Sequence, residues 1–412
     1  ATALVFAAFG IHVLLGSQTL AGAYSLPRST LGQMAVRIAL QCSETDAHLI
    51  LSEENTAARL LTRPGEAIYN DANGLYEGNH PFQVFWLSDS EREKYLAQLR
   101  EFSADRRYEA PSPIVFEGNV PAKLEENAQL RALLEAEVCP EPPRTAHIWL
   151  GDAVSIKPPT QASFIRQSGS NLLMVGHRDD LARGLFAAGI LSLAAQYPPE
   201  DPSGKPYVQM YLFDGTRPDA SEADYFRQLA GMLPYPLEVV GPAQAGQTIG
   251  AVAAELARRQ AENLDQERPI YLLVYDLARF RTLRRAEEDF GFSLGGEDRP
   301  ASPAQQLAQI LREGPAWGVH TLLWCDSYHT FTRWLDRHAL PEFDMRVLFS
   351  MNASDSSNLV DSTIAANLGM QRAVLYLEGV GSWEKFRPYA PPDGGFLQWV
   401  SQQLCRRISK RL

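Results

Sequence analysis

The sequence contains one segment twice, about 308 residues apart. Residues 9–15 read Phe-Gly-Ile-His-Val-Leu-Leu, and residues 317–323 read Trp-Gly-Val-His-Thr-Leu-Leu. With two one-residue gaps the match continues through 37–40 and 346–349, Asp46 and Asp355, 57–60 and 365–368, and 66–69 and 373–376. Solenoid repeats have periods of about 20 to 50 residues, so this distance predicts a duplicated whole domain. Residue 9 already matches residue 317, which lies deep in the chain. We therefore expect the front half of the first copy of the domain to be missing from this sequence.

The composition is typical of a soluble globular protein, with 412 residues, 45% of them hydrophobic and 21% charged. This length favours two or three domains. The four cysteines have neither the CxxC spacing of a zinc site nor the density of a disulfide framework. They are Cys42, Cys139, Cys325 and Cys405. We therefore expect a reducing compartment and no metal site.

The net charge of −11 argues against a surface that attracts nucleic acid through its overall field. It does not exclude DNA held by a few basic residues in the channel of a ring. The one basic cluster is the run 406–411, Arg-Arg-Ile-Ser-Lys-Arg. This run is either a solvated helix end, favourable to the helix dipole, or a DNA contact.

The apolar run 1–15 resembles a signal peptide, but it lacks a basic start and His12 interrupts it. We interpret it as a helix followed by a buried strand, as in its repeat partner. No other segment reaches the roughly 18 to 20 uninterrupted apolar residues that a membrane span needs. We therefore expect a cytoplasmic chain, with any membrane anchor in an upstream part.

Three regions follow from the pattern of apolar runs and turns. Residues 1–77 read as the back half of an α/β unit that ends in a strand and the turn residues 70–74. Residues 78–144 read as a linker module, with a strand at 82–87 and helices at 90–102 and 123–137. Residues 145–412 read as a complete domain. Its buried-strand candidates are 171–175, 207–213, 237–240, 270–275 and 321–324. Such runs alternating with helices predict an α/β fold with a mostly parallel sheet covered on both faces.

The strand at 172–175 runs into a degenerate phosphate loop. A nucleotide-hydrolysing fold would continue as Gly-x-x-x-x-Gly-Lys-Ser/Thr, whose backbone N–H groups and lysine hold the phosphates. Here Gly176 survives, but residues 181–183 are Leu-Ala-Arg. Asp179 and Asp180 stand where phosphate would lie, so we predict a site that repels ATP.

Two arginines leave an alternative open, because Arg178 or Arg183 could replace the lost phosphate ligands. The magnesium side of the site is degenerate too. The strand 270–275 ends in Asp276-Leu277, where hydrolysis would require a second carboxylate to orient water. Asp276 is therefore a remnant magnesium ligand, a helix cap or a surface carboxylate. Two losses together favour an inactive second copy.

The first copy keeps residues that suit a catalytic role. Its strand ends in Gly16-Ser17-Gln18, which presents an amide where open α/β sheets bind ligands. Gln18 is a candidate γ-phosphate sensor, or an amide that only satisfies a loop. Arg37 and its counterpart Arg346 open buried strands, so each is either an arginine finger that reaches a neighbouring subunit or half of a structural ion pair. His12 and His320 occupy equivalent places, which favours hydrogen-bonding core histidines.

The segments 9–18, 36–40 and 57–69 resemble the C-terminal half of an FtsK/SpoIIIE-type motor domain, in the FtsK-HerA superfamily. In that family the segment carries a Ser-Gln or Thr-Gln sensor and then an Arg-Ile-Ala strand, so the resemblance implies that Gln18 is the sensor and Arg37 the strand arginine. Through the repeat, residues 148 to about 390 resemble the same family more weakly. The resemblance implies a RecA-like P-loop NTPase fold, with a partial first copy and a complete, degenerate second copy.

The resemblance also implies a function. The complete protein would be an ATP-driven and magnesium-dependent translocase of double-stranded DNA, forming a homo-oligomeric ring and acting in cell division or chromosome segregation. Tandem domains with degenerate later copies also resemble the ATPases of type VII secretion systems, whose cargo is a polypeptide. A third possibility is a ring scaffold. We expect this chain alone to be inactive and to bind no cofactor tightly, with Gly176, Arg178, Arg183 and Asp276 as a degenerate nucleotide site.

Overall fold

The computed structural model describes residues 12, 14–18, 32–105, 120–155, 157–201, 204–285 and 301–409. The chain divides into two compact units, Ala1–Ile114 and Val115–Leu412. The dividing point lies inside the predicted linker module 78–144. The division into three regions stays a prediction.

The first unit contains a three-stranded antiparallel sheet in the order β1-β2-β3. Its elements are β1 Arg37–Leu40, α1 Glu44–Ile50, β2 Glu66–Asn70, β3 Asn79–Gln83 and α2 Asp89–Asp105. Ser43 caps α1 by accepting a hydrogen bond from the backbone N–H of Asp46 at 3.1 Å. The strand predicted at 82–87 lies earlier in the chain, because β3 pairs along β2 from Asn79 opposite Asn70 to Gln83 opposite Glu66.

The second unit is an α/β domain built on ten strands. Its elements are α3 Ala128–Glu135, β4 Ala146–Ala153, β5 Thr160–Phe164, β6 Leu172–Val175, α4 Asp179–Gln196, β7 Gln209–Asp214, α5 Tyr225–Met232, β8 Leu237–Val240, α6 Ala245–Glu262, β9 Ile270–Tyr275, α7 Pro303–Glu313, β10 Val319–Cys325, α8 Tyr328–Trp334, β11 Met345–Leu348, α9 Ala353–Val360, β12 Ala373–Leu377, β13 Ser382–Pro388 and α10 Gly394–Ser409. The five buried strands predicted in this domain are therefore present, within about two residues at most ends.

The strand order in this sheet is β5-β4-β13-β12-β11-β6-β10-β9-β7-β8. The six strands from β11 to β8 are parallel, and the other four extend the sheet in antiparallel fashion. All residues of β6 and β9 are buried. Two separate hydrophobic clusters contain alternate residues of these strands, one on each face of the sheet. A parallel sheet covered on both faces explains why the strands read as continuous apolar runs. This confirms the predicted α/β, RecA-like fold.

The structure also reproduces the sequence repeat. In the first unit β1, α1, β2 and β3 follow one another with antiparallel pairing, and β11, α9, β12 and β13 do the same in the second. The helix caps correspond as well, because Asn352 accepts a hydrogen bond from the N–H of Asp355 at 2.8 Å, as Ser43 does from Asp46. Among the helices described, none combines the length and the hydropathy that crossing a bilayer requires.

Candidate functional site

The candidate site lies where three parallel strands of the second unit end. β10 pairs with β6 on one side and with β9 on the other, so the carboxyl ends of all three meet at one edge of the sheet. Open α/β sheets bind ligands at this edge. The residues that follow the strands are Gly176 after β6, Asp276 after β9 and Asp326 after β10.

The loop after β6 is only three residues long, because α4 already begins at Asp179. The residues aligned with the second half of a phosphate loop, 179–183, are therefore helical. Gly176 has a φ of +134°. Its backbone N–H and carbonyl both form hydrogen bonds within the domain. Its N–H donates to the carbonyl of Cys325, and its carbonyl accepts from the indole N–H of Trp324, both at 3.1 Å. These two bonds use the N–H and the carbonyl of Gly176 within the fold.

Arg178 is paired with the helix that follows it. Its guanidinium donates to both carboxylate oxygens of Asp180, at 2.8 and 2.7 Å, and to the side-chain oxygen of Gln371 at 3.0 Å. The hydrogen bond from Arg178 is the largest cause of a lowered pKa at Asp180. A phosphate at this helix end would have to displace a carboxylate that already binds the arginine.

Arg183 is buried, with 8% of its surface exposed. Its guanidinium lies 3.2 Å from the carboxylate of Asp179 and 3.6 Å from that of Glu222. Tyr275, the last residue of β9, donates its hydroxyl to the backbone carbonyl of Asp179 at 3.2 Å, and burial raises its pKa. The buried Arg183 guanidinium therefore pairs with two acidic side chains that are themselves exposed. Its predicted role as a substitute phosphate ligand stays a prediction.

Asp276 adopts a left-handed backbone conformation, with a φ of +58°, and lies 3.4 Å from the guanidinium of Arg279. Burial raises the pKa of Asp276; Arg279 opposes this shift and the neighbouring Asp326 adds to it. Asp326 accepts a hydrogen bond from the hydroxyl of Ser327 at 3.0 Å. The next residue after Asp276 is the buried Leu277, so a second carboxylate is missing at that position. No group of three or more metal-ligating side chains occurs among the residues that the structure describes.

Aromatic side chains fill the space behind these strand ends, and sequence reasoning missed them. The rings of Tyr275 and Trp324 are 4.8 Å apart, and Phe226 and Phe186 lie 5.0 and 5.4 Å from Tyr275. The repeat contained one signal, because Trp324 in the second copy stands where the first copy has Gly16.

Arg37 and Arg346 make the same contacts in their respective units. The Nε atom of Arg37 donates to the carbonyl of Met34 at 3.0 Å, and Nη1 donates to those of Ile50 at 3.2 Å and Leu51 at 2.6 Å. In Arg346 the Nε atom donates to Phe343 at 3.1 Å, and Nη1 donates to Leu359 at 2.7 Å.

Each arginine thus connects its strand, through hydrogen bonds, to the carboxyl end of the following helix. Burial lowers the pKa of both guanidinium groups. Arg346 also forms an ion pair with Glu378 at 2.8 Å. Gln18 is exposed within the short described stretch 14–18. The sensor role of Gln18 and the finger role of Arg37 stay predictions.

The two repeat histidines differ in environment. His320 is buried, and its Nδ1 atom lies 2.9 Å from the carbonyl of Ser170, as a hydrogen-bonding core histidine should. Burial lowers the pKa of His320 to about 4. His12 is exposed.

No protein-family model matches this sequence, and no curated protein matches it either. Solved structures do match. The cytoplasmic domain of the Thermomonospora curvata type VII secretion ATPase EccC is 16% identical, with a TM-score of 0.54. The match covers 97% of this chain and 46% of that protein. This chain has an EccC-like fold.

Two further matches have TM-scores below 0.5. One is Thermomonospora curvata EccC (ATPases 2 and 3) in complex with a signal sequence peptide, which is 16% identical, with a TM-score of 0.48. This match covers 72% of the present chain and 53% of the EccC chain. The pCW3 conjugation coupling protein TcpA is 11% identical; its match covers 85% of this chain and 92% of that one, at 0.45. The EccC-like fold agrees with the α/β fold that the sequence predicts. The chain spans about half the length of EccC's cytoplasmic domain.

Proposed function

We propose that this chain is part of an ATP-driven translocase, in which the second unit binds no nucleotide and serves docking and assembly. The observation that carries the proposal is the closed phosphate loop. Helix α4 begins three residues after β6, and its first turn presents Asp179 and Asp180 in place of backbone N–H groups free for phosphate. Arg178, which directly precedes this helix, already donates to both carboxylate oxygens of Asp180. ATP and Mg²⁺ belong to complete sites elsewhere in the whole protein, which we expect to form a homo-oligomeric ring.

For the cargo we propose a polypeptide. The net charge of −11 disfavours DNA, and the basic cluster near the C-terminus contributes to the fold. Arg407 is 2% exposed, donates to the carbonyls of Leu133 and Ala195, and contacts the sulfur of Cys139. Arg406 donates to the carbonyl of Glu135 at 3.0 Å. The EccC-like fold supports the same cargo, because that relative is a secretion ATPase. Lys410 and Arg411 lie outside the described residues.

The first experiment tests the closed loop. Calorimetric titration of the chain 1–412 with Mg-ATP should show no saturable binding up to about 1 mM, a free energy of about −4 kcal/mol. Arg178→Ala is the informative variant. If Arg178 were a phosphate ligand, binding would be present in the native chain and lost in the variant. Saturable binding with protection of residues 176–183 from hydrogen exchange would contradict the proposal.

A second experiment tests the cargo. ATP turnover by the native full-length polypeptide is measured with and without linear double-stranded DNA, at two salt concentrations. We expect turnover that is indifferent to DNA. Strong stimulation that falls steeply with salt would instead establish the DNA translocase, because phosphate contacts release counterions. No turnover in any condition would leave only the ring scaffold.

A further inference from the structure

Arg407 is a buried cation whose contacts among the described residues include no carboxylate. Its side chain lies on α10 and is 2% exposed. The Nη1 atom donates to the carbonyl of Leu133 at 3.3 Å, and Nη2 donates to that of Ala195 and to Sγ of Cys139, both at 3.0 Å. The Nε atom has no hydrogen-bond partner in the part of the chain that the structure describes. A buried charge without a counter-ion is costly, so this guanidinium favours an anion beside it.

The thiol of Cys139 lies between this guanidinium and solvent. Its sulfur accepts a hydrogen bond from Arg407 and donates to the carbonyl of Tyr197 at 3.9 Å. Cys139 is partly exposed, and Val138 before it is 77% exposed, so a small solute can reach the sulfur. Cysteines that react with oxidants have such electropositive and partly exposed surroundings. Of the groups that Arg407 contacts in the described chain, this thiol is the one that chemistry can convert into an anion.

The other three cysteines have different surroundings. Cys325 is fully buried, and burial raises its pKa. Burial and the nearby Asp46 raise the pKa of Cys42. Both effects disfavour the thiolate that reacts with oxidants. Cys405 is exposed on α10 and provides a reference for a thiol that solvent reaches freely.

We propose that Cys139 is a site of oxidation by hydrogen peroxide, and that the product anion pairs with the buried Arg407. In the first step the sulfur bonds to one peroxide oxygen, the O–O bond breaks, and the thiol proton leaves in the water that forms beside the sulfenic acid. A second peroxide molecule oxidises the sulfenic acid to a sulfinic acid and is itself reduced to water. The sulfinic acid releases its proton to solvent, and its oxygens accept hydrogen bonds from Arg407.

The site joins three helices of the second unit. Leu133 lies in α3, Ala195 in α4 and Arg407 in α10. A sulfinate at Cys139 adds charge-assisted hydrogen bonds at the point where these helices meet. Oxidation therefore strengthens the attachment of α10 to the rest of the unit. This proposal does not depend on the translocase function or on its cargo.

The first test measures which thiol peroxide oxidises first. The chain 1–412 is exposed to hydrogen peroxide for increasing times, the remaining thiols are alkylated, and peptide mass spectrometry locates the sulfinic acid. Sulfinic acid should form at Cys139 before it forms at the more exposed Cys405. Arg407→Met should slow the reaction at Cys139 by about fivefold or more, the effect of removing a unit charge about 4 Å away in water. Arg407→Lys keeps the charge and should recover the rate.

The rate at Cys405 is the internal control, because it should be the same in the native chain and in both Arg407 variants. Oxidation of Cys405 as fast as that of Cys139 would overturn the proposal. So would an unchanged rate at Cys139 in Arg407→Met.

The second test leaves Arg407 in place and asks whether an anion stabilises the site. Cys139→Asp mimics the sulfinate, and Cys139→Asn has nearly the same shape without the charge. The aspartate variant should unfold at a temperature higher by about 3 °C or more, because a charge-assisted hydrogen bond forms with a buried guanidinium. Cys405→Asp and Cys405→Asn, the matched pair on the exposed side of α10, should unfold at the same temperature.

The two tests meet in the oxidised native chain. Peroxide treatment should raise its unfolding temperature, and Cys139→Ser should lack this rise. Equal unfolding temperatures for Cys139→Asp and Cys139→Asn, or a native chain that oxidation at Cys139 destabilises, would show that Arg407 does not hold an anion and would overturn the proposal.

Discussion

Replacing Arg346 by methionine tests whether the strand arginines hold the fold together. Arg346 is 4% exposed and donates to the carbonyls of Phe343, Leu359 and Leu340. Methionine keeps the apolar stem but leaves these acceptors without a donor. A hydrogen bond from a charged group contributes about 1.5 to 3 kcal/mol, and buried unsatisfied groups add their desolvation cost. We expect Arg346→Met to lower the free energy of unfolding by about 3–5 kcal/mol. The ion pair with the half-exposed Glu378 adds little.

The matched variant is Arg37→Met, which removes the equivalent hydrogen bonds in the first unit. Arg37 is only partly buried, so water can replace the lost donor, and we expect a smaller loss of about 1–2 kcal/mol. Native-state hydrogen exchange is the suitable assay, because it reports opening free energies region by region. Amides of α9 should exchange faster in Arg346→Met, and amides of α1 in Arg37→Met. The lysine variants keep a charge and should recover part of the loss.

Two results would refute this reasoning. If Arg346→Met changed the protection of α9 by less than about 1 kcal/mol, the three hydrogen bonds would not have the weight assigned to them. If Arg37→Met abolished ATP turnover of the native polypeptide without changing the protection of α1, Arg37 would be a catalytic finger. Its similarity to Arg346 would then be incidental.

Three further predictions concern single side chains of the second unit. Burial lowers the pKa of His320 to about 4, so as the pH falls below 6.5 the unfolded chain takes up this proton before the folded chain does. The free energy of unfolding should therefore fall by up to about 3 kcal/mol between pH 6.5 and 4. Urea unfolding of His320→Gln should lack this loss. Gly176→Ala should destabilise the protein by about 2–4 kcal/mol in thermal unfolding, because φ is +134° and the new Cβ would lie 2.8 Å from the Cβ of Phe349. The control is Gly231→Ala on α5, where the new Cβ would meet no other atom, and it should be neutral or stabilising. Burial raises the pKa of Cys325, so thiol reagents monitored by mass spectrometry should modify it only after unfolding.

Much of the fold was predictable because its signals are local. The strand 270–275 is a continuous apolar run that ends at a polar residue, and the structure places β9 over the same residues. The repeat predicted the similarity of the regions around Arg37 and Arg346, which the two hairpins and their arginine contacts reproduce. Local periodicity and an internal duplication need no knowledge of distant contacts.

The details of the site depend on distant contacts and were not predictable. Arg178 donates to Gln371, which is far away in the sequence, and Trp324 closes the loop by bonding to the carbonyl of Gly176. The sequence indicated that Asp179 lies near the phosphate position but did not indicate that α4 begins there. That start is set by the pairing of Arg178 with Asp180 and by packing along the buried helix.

Under the proposed function, the second unit keeps its fold without a nucleotide because the groups of the loop after β6 form hydrogen bonds with one another and with the rest of the domain. An intact phosphate loop presents several backbone N–H groups towards a ligand, and without the ligand only water can accept from them. Here the helix starts early, and the carboxylate of Asp180 accepts hydrogen bonds from its own N–H and that of Leu181, which help to lower its pKa. Asp179 and Asp180 also carry the negative charge that the helix dipole favours at this end. Under the proposed function, these internal hydrogen bonds lie where an active domain would bind ATP.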